Sequence, residues 1–253
     1  LLLISSAFFC YQCKIEKPIK KSSDIDSIVK DSSIFKKSLQ EALKTPWDSL
    51  NKENVTAFFT EFGKQNKESQ VLIKTKFGEI KIRLYADVPV HRANFLFLVQ
   101  RAYFNTTVIY RVAKNFVIQG GNSDETYTRE QRTLYGNYLI APEFKQHRKH
   151  KYGALAAARQ WDDNPKKLSS PFEFYIVHNK KGAHHLNNEH TVFGEVISGF
   201  DTMDKIAKVK VEIISDPSKQ MKIVTNSMNE STFNETIDSA PTESVSITNI
   251  TID

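Results

Sequence analysis

Cysteine is nearly missing from this chain: 253 residues hold two, Cys10 and Cys13, in the motif CYQC directly behind an apolar run. Everything from residue 14 onward is therefore held together without disulfides. A CxxC pair does redox chemistry in a βαβ setting, which this stretch lacks, and a single pair is only half of a zinc site. Long hydrophobic runs are missing as well, since no segment reaches the roughly 20 apolar residues of a membrane-crossing helix. There is no internal repeat. The first ten residues, LLLISSAFFC, read as the end of a secretory h-region, with Ser5, Ser6 and Ala7 at cleavage spacing. A first strand or a membrane anchor are the alternatives. Lipidation of Cys10 is another, although Phe8 and Phe9 are bulky for a lipoprotein cleavage box. The expectation is an exported protein of the periplasm or cell envelope, with a signal or lipoprotein segment over 1–13 and a membrane tether through the N-terminus left open.

Acidic charge is also in deficit. The formal net charge of +6 favours solubility and gives weak attraction to acidic surfaces. The one dense basic run, KQHRKHK over 145–151, reads as a solvated loop, so no nucleic-acid partner is expected.

What is present is periodicity. SSIFKKSLQEAL and NKENVTAFFTEFGKQ place apolar residues at helical spacing, with Gly63 where the second helix could stop. These make a helical N-terminal extension over 14–70 whose apolar faces must pack on something, the following domain being the candidate. From Val71 the period becomes two. VLIKTKFGEIKIRLY is a hairpin broken at Gly78, with Val71, Ile73, Ile80, Ile82 and Leu84 on one face. A helix follows from Pro89, through Ala93, Leu96, Phe97 and Gln100. TTVIYRV, FVIQGG, GALAAAR, FEFYIVH and HTVFGEV read as strands, and FDTMDKIAKV as a second helix with Asp201 as its N-cap. Residues 213–240 are Ser-, Thr- and Asn-rich and read as an irregular insertion. SVSITNITID is a good last strand, with MKIVT over 221–225 as its rival. Many short strands and two helices point to a barrel plugged by helices.

Four blocks, FGEIKIRLYADVPVHRANFLFLV, YRVAKNFVIQGG, FEFYIVH and HLNNEHTVFGEV, in this order and spacing resemble the cyclophilin family, over 71–253. The resemblance implies a mainly β fold, a closed eight-stranded antiparallel barrel capped by two helices, and peptidyl-prolyl cis/trans isomerase activity on proline-containing polypeptides, with no cofactor and no metal. A monomer is expected. Carried over position by position, Arg111 takes the place of the family's catalytic arginine, and Phe116 and Gln119 those of the aromatic and glutamine that act with it. Val117, Ala158, Arg159, Glu173, Tyr175, His185, Leu186 and His190 fall on the substrate groove. Phe116, Tyr175 and Leu186 would enclose the proline ring, Gln119 would hold a substrate carbonyl, and His190 would close the pocket.

The residue types suit the chemistry. Rotation about a peptide bond crosses a barrier of about 18–20 kcal/mol because it destroys amide resonance. No bond breaks, so no nucleophile or redox cofactor is needed. In the twisted amide the proline nitrogen regains its lone pair, and a fixed donor aimed there binds the transition state better than either ground state. Arginine is such a donor and stays protonated. One difficulty is geometric: Phe116 and Gln119 are three apart, which an ideal strand puts on opposite faces, so a bend or bulge is required, with Gly120-Gly121 as the expected place. His184, His185 and His190 lack the spacing of a metal site.

Three departures from the family pattern stand out. His185 replaces a common tryptophan, which should weaken cyclosporin binding more than isomerisation. Glu173 replaces a usual glutamine and should add negative charge near the groove. Arg159 replaces a common asparagine. Together they suggest an altered substrate preference. A second class of function also fits these residues, a proline-peptide-binding chaperone or scaffold with weak or no isomerase activity.

Overall fold

Alternating apolar residues set up the first ladder. The computed structural model describes residues 49–209, 211–213, 239–241 and 245–252; the apolar start, the helix expected over 34–43 and the MKIVT segment lie outside them. Strands β1 (Gln70–Thr75) and β2 (Gly78–Leu84) form the expected hairpin. Val71 faces Ile82 and Ile73 faces Ile80 across it, all four buried.

The other strands are β3 (Val108–Ala113), β4 (Val117–Asn122), β5 (Ala154–Ala157), β6 (Phe174–Val177) and β7 (Val192–Ser198), then β8 (Val211–Ile213), β9 (Ser239–Pro241) and β10 (Val245–Ile252). Eight of them pair antiparallel in the order β1-β10-β3-β4-β6-β5-β7-β2, and β2 pairs in turn with β1. The place contested by two segments thus belongs to β10, which lies along β1 and meets β3 over two residue pairs. The ends of the presumed irregular insertion are regular, because β8 and β9 pair with each other.

Helix α1 (Val55–Gln65) and helix α2 (Pro89–Gln100) pack together. Phe58, Phe59 and Phe62 meet Phe97 at ring-centroid distances of 5.4, 5.5 and 5.6 Å. On its other side α2 sends Phe95 against Phe174 of β6 and Phe193 of β7, at 5.7 and 5.5 Å. A helix covered on both sides is buried all round, which explains why His91 to Val99 is buried without interruption, the polar His91, Arg92 and Asn94 included. Its N-terminus lacks a side-chain cap of its own. Glu143 supplies one from 53 residues away, accepting the Val90 and His91 N–H groups at 3.2 and 2.9 Å and filling the role a local Ser or Asp would have played.

Two expectations about helices are corrected. Helix α4 (Phe200–Ile206) is capped by Gly199, with Asp201 inside its first turn, where an acidic side chain suits the helix dipole. Helix α3 (Thr126–Tyr135) was not anticipated. Its sequence, TYTREQRTLY, is polar nearly throughout, and two of its three buried residues, Thr128 and Gln131, are themselves polar, so no run of apolar residues announces it.

Candidate active site

Backbone register brings four distant residues into one row. Arg111 of β3 lies opposite Gln119 of β4, Gln119 opposite Tyr175 of β6, and Tyr175 opposite Ala156 of β5. The next row, Val112–Ile118–Ile176–Leu155, points to the other face by strand alternation and belongs to the core. The candidate site therefore sits on the face of the sheet turned away from that core.

Phe116 reaches this face differently than expected. It is not a strand residue: it closes the β3–β4 turn, with Asn115 at φ +60° and the Phe116 N–H donating to the Ala113 carbonyl at 3.0 Å. The spacing of three from Gln119 thus needs no bend at Gly120-Gly121. The ladder is nonetheless irregular at Gly120-Gly121, as expected: Val108 faces Asn122 and Ile109 faces Gly120, so Gly121 is passed over, and a second slip between Ile109 and Arg111 passes over Tyr110. Gly121 has a separate task. At φ +95°, a Cβ there would lie 2.2 Å from the Phe172 carbonyl oxygen, so only glycine lets β4 pass that close.

The aromatic groups gather around Tyr175. His190 stands edge-on to its ring at 5.4 Å, and Trp161 covers His190 at 5.3 Å. The His190 Nδ1 lies 3.0 Å from the Ala157 carbonyl oxygen. A carbonyl only accepts, so Nδ1 carries the proton and Nε2 is the free acceptor of a neutral ring. Burial, opposed only in part by that hydrogen bond, lowers its pKa to about 3. On the far side His150 stacks against Tyr175, with Nε2 2.9 Å from the phenol oxygen and Nδ1 3.0 Å from Asn187 Oδ1. Burial lowers the His150 pKa to about 4, so the Tyr175 hydroxyl donates to a neutral imidazole. The 3₁₀ turn His184–Leu186 brings His185 over Phe116, rings stacked at 5.5 Å and 22°. Leu186 is buried at the end of that turn, and Val117 and Ala158 are buried beside the row. His185 and His190 thus face different partners.

Both charged departures are neutralised. Glu173 is paired with Arg132 of α3 at 3.0 Å and accepts a hydrogen bond from Tyr110 at 3.1 Å, so its charge is not offered bare to the groove. Arg159 turns inward: its Nη2 meets Glu189 at 2.8 Å, its Nε donates to the Glu189 carbonyl at 2.8 Å, and its guanidinium covers Trp161 at 4.0 Å. The basic run behaves as a mostly exposed loop, with Arg148 and His147 on Asp87 and Lys151 on Glu195. His150, inside the same run, is fully buried, and it was missed, as were Tyr110, Arg132 and Trp161. No local pattern marks them, because each is recruited by tertiary register.

Arg111 is 6 % exposed and donates to Gln119 Oε1 at 3.3 Å, its guanidinium 5.8 Å from the Phe116 ring centre. The guanidinium thus lies between an amide and an aromatic ring.

Residues 70–228 match the family described as "Cyclophilin type peptidyl-prolyl cis-trans isomerase/CLD". The chain belongs to the cyclophilin-type peptidyl-prolyl cis-trans isomerases. It is 34% identical over 144 residues to the peptidyl-prolyl cis-trans isomerase-like 3 of Dictyostelium discoideum, covering 56% of this chain and 84% of that one. It is 34% identical over 155 residues to the peptidyl-prolyl cis-trans isomerase 10 of Caenorhabditis elegans, covering 60% and 91%. A crystal structure of a cyclophilin-type isomerase from Cryptosporidium parvum superposes with a TM-score of 0.54 at 25% identity, covering 74% of this chain and 98% of that one. A second structure of that protein, in the presence of the dipeptide Ala-Pro, gives 0.53. As a cyclophilin the chain is mainly β with eight antiparallel strands. The family match stops at 228, ahead of β10, so the strand that completes the ladder order lies beyond the matched region.

Proposed function

We propose that this cyclophilin accelerates X-Pro rotation by an Arg111 hydrogen bond to the pyramidal nitrogen of the twisted amide, with the proline ring held by Phe116, Leu186 and Tyr175. The observation that carries the reading is the transverse row Arg111–Gln119–Tyr175, flanked by His190 and Phe116. Rotation breaks no bond, and the donor strengthens its interaction only as the lone pair forms. A hydrogen bond from a charged donor contributes about 1.5–3 kcal/mol, which is roughly ten- to 150-fold in rate. Positioning of the ring supplies the remainder. Gln119 acts in this reading chiefly by orienting Arg111, because both ends of its amide are engaged. The ring of ladders, read as a closed barrel, gives the row a stiff support.

The test is a protease-coupled assay on a short Ala-Pro peptide. Arg111→Ala should lower kcat/KM at least tenfold while peptide affinity changes little. Equal rates for both proteins would overturn the mechanism and favour a proline-peptide-binding scaffold. We propose further that the clients are exported proteins, on the strength of the apolar run before Cys10. Fractionation of cells expressing the full chain checks this, and a wholly cytosolic pool would refute it.

A further inference from the structure

The polar groups behind Arg111 form one directed chain. Arg111 donates to Gln119 Oε1, and Gln119 Nε2 donates to the Tyr110 hydroxyl oxygen. The Tyr110 hydroxyl donates to Glu173 Oε2, and Arg132 donates to Glu173 Oε1. Every hydrogen points toward the carboxylate, and the reason is inventory: a carboxylate only accepts, while a guanidinium only donates. Tyr110 has one proton. Burial first, then the neighbouring Glu173, raises its pKa well above the ordinary value, so that proton stays and must go to Glu173. The hydroxyl lone pairs are then left for Gln119, whose amide can only turn its N–H outward and its carbonyl oxygen to Arg111.

We infer that Glu173, acting through Tyr110 and backed by Arg132, is a positioning residue for Arg111: it sets the polarity of the Gln119 amide that holds the guanidinium. This reading rests on Arg111 being the donor proposed above. It moves Glu173 from a groove residue that tunes substrate charge to a support behind the groove. It also gives helix α3 a part in the site, since α3 delivers Arg132, which donates in addition to the Tyr103 hydroxyl and the Gly121 carbonyl at 2.9 and 3.0 Å.

A glutamine at 173 would remove the constraint. Its amide could donate to Tyr110, the Tyr110 proton could turn to Gln119, and a flipped Gln119 would present its NH₂ to Arg111, donor against donor. The experiment compares Glu173→Gln and Tyr110→Phe in the otherwise intact chain and in an Arg111→Ala chain. In the intact chain each should lower kcat about three- to tenfold by loosening a preorganised donor, with KM within about twofold because the ring-binding groups are untouched. In the Arg111→Ala chain neither should change the residual rate. NMR of the Arg111 guanidinium reads the same effect without turnover: slowed rotation in the unaltered chain, faster rotation in both variants. Unchanged guanidinium rotation, or equal rate losses with and without Arg111, would overturn the inference. An unaltered chain that shows no isomerase rate defeats the proposed function instead, and the guanidinium signal still decides this one.

Discussion

Two neutral histidines packed against Tyr175 should make this cyclophilin lose stability in a pH range where most proteins do not. His150 and His190 are buried, with ring centres 6.5 Å apart, and burial lowers their pKa values from 6.5 to about 4 and about 3. A depressed histidine is neutral in the fold yet takes a proton in the unfolded chain as pH falls below 6.5. Unfolding thus consumes protons, and stability that is complete above the unfolded value drains away as pH falls toward the folded one. At pH 5 the unfolded imidazole is about 1.5 pH units into its protonated range, worth about 2 kcal/mol per histidine and about 4 kcal/mol for the pair. That figure hardly depends on how deep the folded values lie, provided both are below 5. It is a large share of the roughly 5–15 kcal/mol of a typical domain. The carboxylates held low by partners, Asp87, Glu143, Glu195 and Asp204, lose their contribution only below their unfolded values, so the interval from pH 7.5 to 5 isolates the histidines. His185, lowered mainly by burial, adds to the same trend. Urea denaturation at the two pH values is the assay, and His190→Gln should remove about half of the pH dependence. A loss below about 1 kcal/mol, small against the linkage figure, or an undiminished slope in the variant, would refute the reasoning.

Tyr175→Phe should separate stability from catalysis. It leaves His150 Nε2 without its donor at 2.9 Å and should cost about 1–3 kcal/mol in urea denaturation. The retained ring should keep kcat/KM within about twofold, and a loss beyond tenfold would show that the hydroxyl acts on substrate. Phe59→Ala removes a fully buried ring between α1 and α2 and should cost about 3–5 kcal/mol. Its rate per folded molecule should be unaltered, and a changed rate would tie α1 to the site.

Many of the strands were legible because burial on one face forces a period of two, as in Val71 to Leu84, and the helix from Pro89 announced itself by its first residue. Arg111, Gln119, Tyr175 and His190 were singled out through the resemblance to the cyclophilin family, since no local period marks them. Their partners were not. His150 sits in a run whose other members are mostly exposed and charged, so local composition averages it away. Tyr110 would face away from Arg111 in a regular strand, yet the ladder slips on either side of Ile109 and the Tyr110 hydroxyl meets Gln119 and Glu173. Arg132 belongs to a helix so polar that no run of apolar residues announces it. The cap on α2 comes from Glu143, at a sequence distance no local motif spans. Each miss is a contact set by tertiary register.

The same contacts change how specificity should be read. Glu173 and Arg159 look like altered charges at a groove, yet each is tied up: Glu173 by Arg132 and Tyr110, Arg159 by Glu189, which Lys167 also binds at 2.6 Å. A paired and partly desolvated charge projects little field beyond its partner, and salt screens what remains over roughly 8–10 Å. Substrate choice by charge at these two positions is therefore weak. Shape is another matter. His185 lies flat on Phe116 where an indole would cover more area, and Tyr175 is held by His150 and His190 so that its ring cannot swing to admit a larger occupant. Both act directly on the walls that would grip a proline ring or a cyclic peptide. Differences from other cyclophilins should thus follow ring size and the residue flanking proline, with little dependence on ionic strength.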